Sequence, residues 1–382
     1  MPNTLNNLIP DLYAALNVVS RELVGFIPSV TRDTSVERAA LNQPVHVPLS
    51  QPQAATDITP GQLPPDDGDQ TFDSKSITIT KARRVPFRWN GEQSRGIDTG
   101  PGVLSLQQQQ IAQALRTLTN EIEADLSLAH AKASRAHGTA GSTPFATAGN
   151  FTDATKTLQI LKDNGAPNGD NQLVLSTNSG AELLGKQSRA DFQDNDSMLR
   201  QGVLIDHMGM SIRESAETKT FVKGDASGAT TDNAGYAVGA TVITITGTSG
   251  AIKDGDVITF AGDTNQYVVA TGNADVSGGG TITLSKPGLR QAIPSSTTAI
   301  TVIGDSERNV AFSRSAIILA QRLPEMPAGG DSAEDITTIA DPRSGLVFEV
   351  VQYGEYRRRQ WEIAATWGYE VIKPEHTALL LG

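Results

Sequence analysis

Between about Glu217 and Ser306 the sequence abandons helical periodicity, and the mixed helix-and-strand style that precedes this stretch resumes after it. Five short runs, ATVITIT, DVITFA, QYVVAT, GTITLS and TAITVIG, are separated by the turns SGAIKDGD, AGDTN, SGGG and KPG. Strands of this length at this spacing close on one another as a small barrel or sandwich. A unit of that kind is accommodated at a surface loop of a host domain, because its two ends lie close together. The expected fold class is therefore α+β with an inserted small β-barrel. Gly278 to Gly280 falls between two of the runs and reads as a turn, not a phosphate loop.

Ahead of the insert, Leu8, Leu12, Leu16, Val19 and Leu23 mark a short amphipathic helix over 8–24, ended by Gly25 and Pro28. A polar, extended stretch follows, and SQPQAATDITPGQLPPDDGDQ has no core-forming period, so it reads as loop or arm. SKSITITKARRVPFRWNG then alternates, which predicts a two-stranded excursion over 45–102. Either it projects and lies on a neighbour, since an isolated hairpin is marginal in water, or its strands belong to a domain sheet. The Pro-rich loop favours projection.

Ile111, Leu115, Leu118, Ile122, Leu126, Ala129 and Ala133 form a stripe at alternating spacings of four and three. They predict a long helix from about Ser105 to Ala136, closed by Gly138 and ~48 Å long at ~1.5 Å per residue. A coiled coil is the competing reading. From Phe151 the pattern becomes α/β: the helix DATKTLQILKDNGAP, the strand QLVLST, a helix from near Asn178 and a strand in GVLIDHMGMSIRES. After the insert, RNVAFSRSAIILAQRLP and LVFEVVQYGEYRRRQWEIAATWGYEVIKPEHTALLL complete the host domain with two long strands and a short final one.

The chain offers little to catalysis. It has 382 residues, no Cys and five His, so thiolate chemistry and disulfides are excluded. His46, His130, His137, His207 and His376 form no H-E-x-x-H motif, and His130 and His137 share only the predicted helix at a spacing of seven. Asp66, Asp67 and Asp69, and likewise Asp191, Asp194 and Asp196, match no calcium loop and read as solvated acidic loops. No nucleophile elbow or Walker loop is present. We expect no enzyme, no metal and no cofactor.

A net charge of -11 argues against a surface devoted to nucleic-acid phosphate. No run is apolar enough for a membrane span, and MPNTLNNLIPDLY does not read as a signal peptide. Two basic clusters stand out: Arg83 and Arg84, and Arg357, Arg358 and Arg359. In a strand, Arg357 and Arg359 would share one face and Arg358 the other, which suits carboxylate partners at protein contacts better than one phosphate cradle.

An arm, a long β-excursion, a long helix, an α/β domain and closing strands, in this order, resemble the major capsid proteins of tailed double-stranded DNA phages, of the Hong Kong ninety-seven capsid fold. ATVITITGTSGAIKDGDVITFAG is similar to the first part of the insertion domain of short-tailed-phage coat proteins. The resemblance implies an N-arm over 1–45, an E-loop over 46–103, a spine helix and peripheral domain over 104–149, and an axial domain over 150–216. It further implies the insertion domain over 217–306, a second axial part over 307–345 and closing peripheral strands over 346–382.

It also implies assembly of the chain with itself into pentamers and hexamers of an icosahedral head, in a virion assembled in the host cytoplasm. Its implied partners are a separate scaffolding protein, a portal protein and packaged double-stranded DNA held by weak, non-specific contacts. Lys75 and Lys81 fall in the E-loop without a matched Asn partner or activating Glu, so the shell is expected to be noncovalent. Expected intersubunit contacts are Arg83, Arg84, Phe87, Trp89, Arg357 and Arg359, with Asp225, Asp232 and Tyr236 in a loop over 224–236 that would reach the next capsomer. A nanocompartment shell of the same fold, a carbohydrate-binding or adhesin β-protein, and a hydrolase built on the α/β segment are the rival readings.

Overall fold

The structure, a computed structural model, describes residues 24–49, 73–92, 103–147, 151–187, 209–340 and 345–382, with single positions at 55, 57 and 60. The predicted helix over 8–24 lies outside the described residues except for Val24, as do the Pro-rich loop, both acidic clusters and His207. What is described is mixed α+β, mostly sheet.

One sheet is built around the fourteen-residue strand Arg358–Val371. Lys81–Asn90 pairs along one of its edges. The opposite edge is shared end to end by Ile317–Pro324 and Val347–Glu355. Where these two meet, the buried Gln321 amide donates to the carbonyl of Val347 (2.8 Å) and accepts from its N–H (3.0 Å), so the side chain completes the ladder that neither strand can. Beyond these two, Thr31–Ala39 pairs with Ile317–Pro324 and Ala333–Ala340 with Val347–Glu355.

The second sheet runs Met210–Ser215, Asn171–Ser176, Ser306–Ser313, Thr377–Leu381, Arg135–Gly138 and then Gln266–Thr271. Thr152–Asp163 packs on Thr377–Leu381 and Arg135–Gly138, and Thr177–Gln187 on Asn171–Ser176. Asn171–Ser176 and Met210–Ser215 are parallel, as an αβ crossover requires. Gln266–Thr271 continues into the β-rich stretch: it pairs with Gly280–Leu284 and Val257–Phe260, and these with Val242–Thr246 and Ile300–Val302.

That β-rich stretch has its own core of Ile243, Ile245, Ile258, Tyr267, Val269 and Ile282 among others. Its sheet is nevertheless continuous with that of the host. Gln266 and Tyr267 pair with Ala136 and Arg135, and Val257 and Val268, on alternate positions, point into the main core.

Several expectations need correction. The long helix is Val103–Ser127, twenty-five residues and about 37 Å, followed by a 3₁₀ segment Leu128–Lys132 and not by further α-helix to Ala136. Ala129 and Ala133 are buried as the stripe predicts. The backbone beyond them is captured by parallel pairing of Arg135–Gly138 with Thr377–Leu381, and this tertiary ladder outweighs local helical propensity. His130 and His137 therefore share no helix.

The excursion over 45–102 also divides. Pro44–Leu49 pairs with Asp73–Thr78 as a two-stranded sheet, whereas Lys81–Asn90 is an ordinary strand of the large sheet. The expected boundary at 345 falls between Ala333–Ala340 and Val347–Glu355, which pair with each other. The segment 307–345 serves both sheets, because Ser306–Ser313 and Ile317–Pro324 belong to different ones.

The foot of the two-stranded sheet rests on the large one. Ile77 and Ile79 are buried with Ala39, Ala320 and Ile372, and Thr80 N–H donates to the carbonyl of Trp367 (3.1 Å). Gly368 makes this approach possible, since an added Cβ would stand 2.0 Å from the carbonyl oxygen of Thr78. Gly368→Ala is expected to push 78–80 off the sheet and cost about 1–3 kcal/mol in urea unfolding.

Candidate intersubunit surface

Lys81–Asn90 brings together most of the residues the sequence singled out. Arg83 and Arg84 stand opposite Ala365 and Ala364, Phe87 opposite Trp361, and Trp89 opposite Arg359. Phe87 stacks on Trp361 with ring centroids 5.7 Å apart and an interplanar angle of 14°. Trp89 Nε1 donates to Gln110 Oε1 at 2.8 Å on the long helix.

The charges on this strand already have partners within the chain. Arg83 meets Glu121 (3.0 Å) and Arg84 meets Glu362 (2.6 Å). The hydrogen bond to Glu362 raises the Arg84 pKa. Lys81 lies between Asp125 (2.7 Å) and Glu121 (3.1 Å); burial would lower its pKa, but the two carboxylates outweigh burial and raise it. Lys75, the other lysine considered in the sequence, donates to the carbonyl of Val371 (2.8 Å).

Among the described residues Lys81–Asn90 pairs with one neighbour, so its outer edge is open. Pro86 and the exposed Arg83, Arg84 and Arg88 line it. Such a composition discourages indiscriminate edge-to-edge pairing.

At the end of this strand lies the hairpin tip between Val347–Glu355 and Arg358–Val371. Arg357 is in the tip with φ 56°, not in a strand, so the predicted alternation of Arg357 with Arg358 and Arg359 does not hold. Its guanidinium sits 5.7 Å from the ring of Tyr356, which is 87% exposed. Arg358 pairs with Glu355, and Arg359 approaches Glu334 at 3.8 Å. Together with Asn90, Gly91 and Glu92 the tip surrounds an open hollow of about 580 Å³. Tyr356 escaped sequence reasoning, which saw a continuous strand through YGEYRRRQWE.

Asp225, Asp232 and Tyr236 lie elsewhere, on the β-rich stretch. The segment 224–236 is not a free loop: Ser227 bridges to Ser249, Thr230–Thr231 pairs with Val242–Thr246, and Tyr236 bridges to Ile293. Asp232 accepts from Tyr236 Oη (2.7 Å), which in turn accepts from Thr244 N–H (2.9 Å). The N–H of Ala251 holds the carboxyl of Asp225 below the usual range. Polar Thr, Ser and Asp side chains closing turns on a β-rich surface are easily read from sequence as a free loop.

Sequence reasoning missed a buried carboxylate as well. Glu123 accepts from three successive backbone N–H groups, Gly25 (2.6 Å), Phe26 (2.7 Å) and Ile27 (3.0 Å), and so ties residues 25–27 to the long helix. Its burial raises the carboxyl pKa against the pull of these bonds. The signal was available: Glu123 stands three positions before Leu126, on the buried face. Among the described residues no group of three or more His, Asp or Glu could hold a metal ion, and no helix is long and apolar enough to cross a membrane.

No protein-family model matches the sequence, and no curated protein matches it significantly. Solved structures do resemble the fold. The capsid of cyanophage P-SCSP1u is 9% identical over 92% of this chain and 86% of that one, with a TM-score of 0.50. The mature capsid of bacteriophage PhiM1 is 11% identical over 94% and 86%, with a TM-score of 0.47. A structure from Mycobacterium phage Che8 is 13% identical over 89% and 84%, with a TM-score of 0.45. At these identities the likeness is one of fold, and the cyanophage match carries it: this chain has a fold found in a phage capsid.

Proposed function

We propose that this chain is a major capsid protein, a structural and non-enzymatic subunit that assembles with itself into the icosahedral head of a tailed phage. The observation that carries the reading is the match to the cyanophage capsid along 92% of the chain. The elements support it in detail. Pro44–Leu49 with Asp73–Thr78 is a two-stranded sheet, and such a sheet gains from lying on a neighbour, as an E-loop does. Val103–Ser127 corresponds to the spine helix, and the stretch from about 217 to 306 to an insertion domain whose wall is shared with its host.

In this reading the open edge of Lys81–Asn90 and the tip at Tyr356 and Arg357 face neighbouring subunits. Head-to-tail contacts then close into rings of five and six. A scaffolding protein, a portal and packaged DNA would be the partners, and the virion the destination.

Arg83 and Arg84 are poor probes of assembly, because reversing them also breaks pairs inside the fold. The tip is a better one. Tyr356→Ser combined with Arg357→Ser is expected to leave unfolding within about 0.5 kcal/mol of wild type and to abolish or misdirect particle formation. Electron microscopy after co-expression with a scaffolding protein reads the result. Uniform particles from wild type support the proposal, and a chain that stays monomeric under every assembly condition sinks it. Normal particles from the double variant would remove the tip from the interface.

A further inference from the structure

Three buried side chains, each with at least one polar atom lacking a hydrogen-bond partner, line one cavity of about 310 Å³. Arg308 is 2% exposed, His130 8% and Thr218 9%. All three guanidinium nitrogens of Arg308, Nε2 of His130 and Oγ1 of Thr218 are unpartnered. One orphan of this kind is ordinary, but three converging on one space are not. An uncompensated buried guanidinium is costly, so a site of this composition invites an anion.

Asp125 and Glu217 line the cavity and Asp256 and Asp305 attract Arg308 through space, but none of the four hydrogen-bonds to it, and each has other partners. Asp125 is held by Lys81 and Trp367, Glu217 by Lys219 at 2.9 Å, Asp305 by the N–H of Lys223, and Asp256 by the N–H groups of Gly224 and Lys253. Burial pulls Arg308 down to about 10, which leaves it cationic at neutral pH. Its guanidinium lies beneath the ring of Phe221, 4.9 Å from the centroid, and His130 meets the same ring edge-on at 5.3 Å.

The His130 tautomer narrows the ligand. Nδ1 is 2.9 Å from the carbonyl of Ser127, so the proton sits on Nδ1 and is donated there, leaving Nε2 as an acceptor. Burial holds the ring neutral, with a pKa of about 4. Behind the cavity wall thus lie donors from Arg308 and Thr218 and an acceptor from His130, all covered in this structure. Phosphate matches this set at neutral pH, because it carries both acceptor oxygens and a P–O–H donor. Sulfate, which has no proton, does not.

We propose that this cavity binds free phosphate, with its oxygens accepting from Arg308 and Thr218 and its hydroxyl donating to Nε2 of His130. The guanidinium nitrogens are covered, so the anion takes the place of the Phe221 ring against them. That ring sits on the two-residue strand Thr220–Phe221, paired to Ser306 and Glu307. The site lies where the chain passes into the β-rich stretch, at 217–221, and out of it, at Arg308, beside the end of the long helix. Occupancy would clamp that junction, whatever the protein assembles into.

The test uses the full chain and inorganic phosphate, with sulfate at matched ionic strength as control. Phosphate at about a hundredfold excess over its Kd should raise the unfolding midpoint by roughly 4 °C, and sulfate should not. Arg308→Met should weaken phosphate at least tenfold, read as the loss of the phosphate-dependent shift relative to the variant's own unfolding temperature without phosphate, since Arg308 also attracts the buried Asp256. A second readout does not depend on that variant folding. The chain has no Cys, so Leu128→Cys, at an exposed position on the cavity wall, gives a single thiol whose labelling by a maleimide phosphate should slow. No phosphate effect on either unfolding or labelling overturns the proposal, as does equal stabilisation by sulfate or full retention of binding in Arg308→Met.

Discussion

Glu123→Ala should cost about 3–6 kcal/mol in chemical denaturation, because three buried N–H groups, those of Gly25, Phe26 and Ile27, lose their acceptor together. No other side chain is expected to fill the gap. The turn they belong to is already tight: Ser29 Oγ donates to the carbonyl of Gly25 at 2.6 Å, and a Cβ on Gly25 would meet the carbonyl of Glu214 at 2.7 Å. Glu123→Gln keeps one carbonyl oxygen and should lose less.

The two variants also separate in pH. The folded-state pKa of Glu123 is raised above its ordinary value of 4.5, with burial as the main cause. The native state therefore holds the proton more tightly than the unfolded chain does. The stabilisation from this linkage is complete below the unfolded pKa and is lost as pH rises through the folded one. The stability gap between wild type and Glu123→Gln should shrink as pH rises from the acid side. A gap that widens with pH would mean that the N–H groups, and not burial, dominate the carboxyl.

Trp367→Ala is expected to remove about 3–5 kcal/mol. Trp367 is fully buried at the centre of the main core, in the strand on which the large sheet is built, and its Nε1 donates to Asp125 Oδ2 at 2.7 Å. Truncation opens a large cavity against the long helix and takes away one of the two partners of Asp125; Lys81 remains. Trp367→Phe separates the effects. It keeps most of the apolar contact and drops the hydrogen bond, so urea unfolding should show a loss of about 1.5–3 kcal/mol for a bond to a charged acceptor. Equal losses from the two variants would assign the whole effect to the Asp125 bond.

Periodicity made much of this fold legible. The stripe from Ile111 to Leu126 is the buried face of the helix, and the five β-runs fall on the observed strands from Val242 to Val302. What sequence could not resolve were choices made by distant partners. LAHAKASRAHG is as good a helix as the residues before it until Thr377–Leu381 supplies a ladder for Arg135–Gly138. Ile77, Ile79 and Val85 share one alternation, yet the chain changes sheets between Ile79 and Lys81, because the foot of one pair is held over Gly368.

The same holds for the surface. Arg83, Arg84, Phe87, Trp89 and Arg359 were singled out by residue type, and the pairing of Lys81–Asn90 with Arg358–Val371 does bring them together. Whether a charge already has an internal partner cannot be read from composition. Glu121 and Glu362 lie 38 and 278 positions from the arginines they hold, a separation that only the folded topology closes.

The strand Gln266–Thr271 also limits how such chains can diverge. It shows Tyr267 and Val269 to one core and Val268 to another. Inserting or deleting a single residue there would exchange its faces and spoil both interiors at once. Length variation in descendants of this sequence should therefore gather in the turns, such as 247–256 and 272–279, and spare this strand. Its register should be inherited intact even where few of its side chains are.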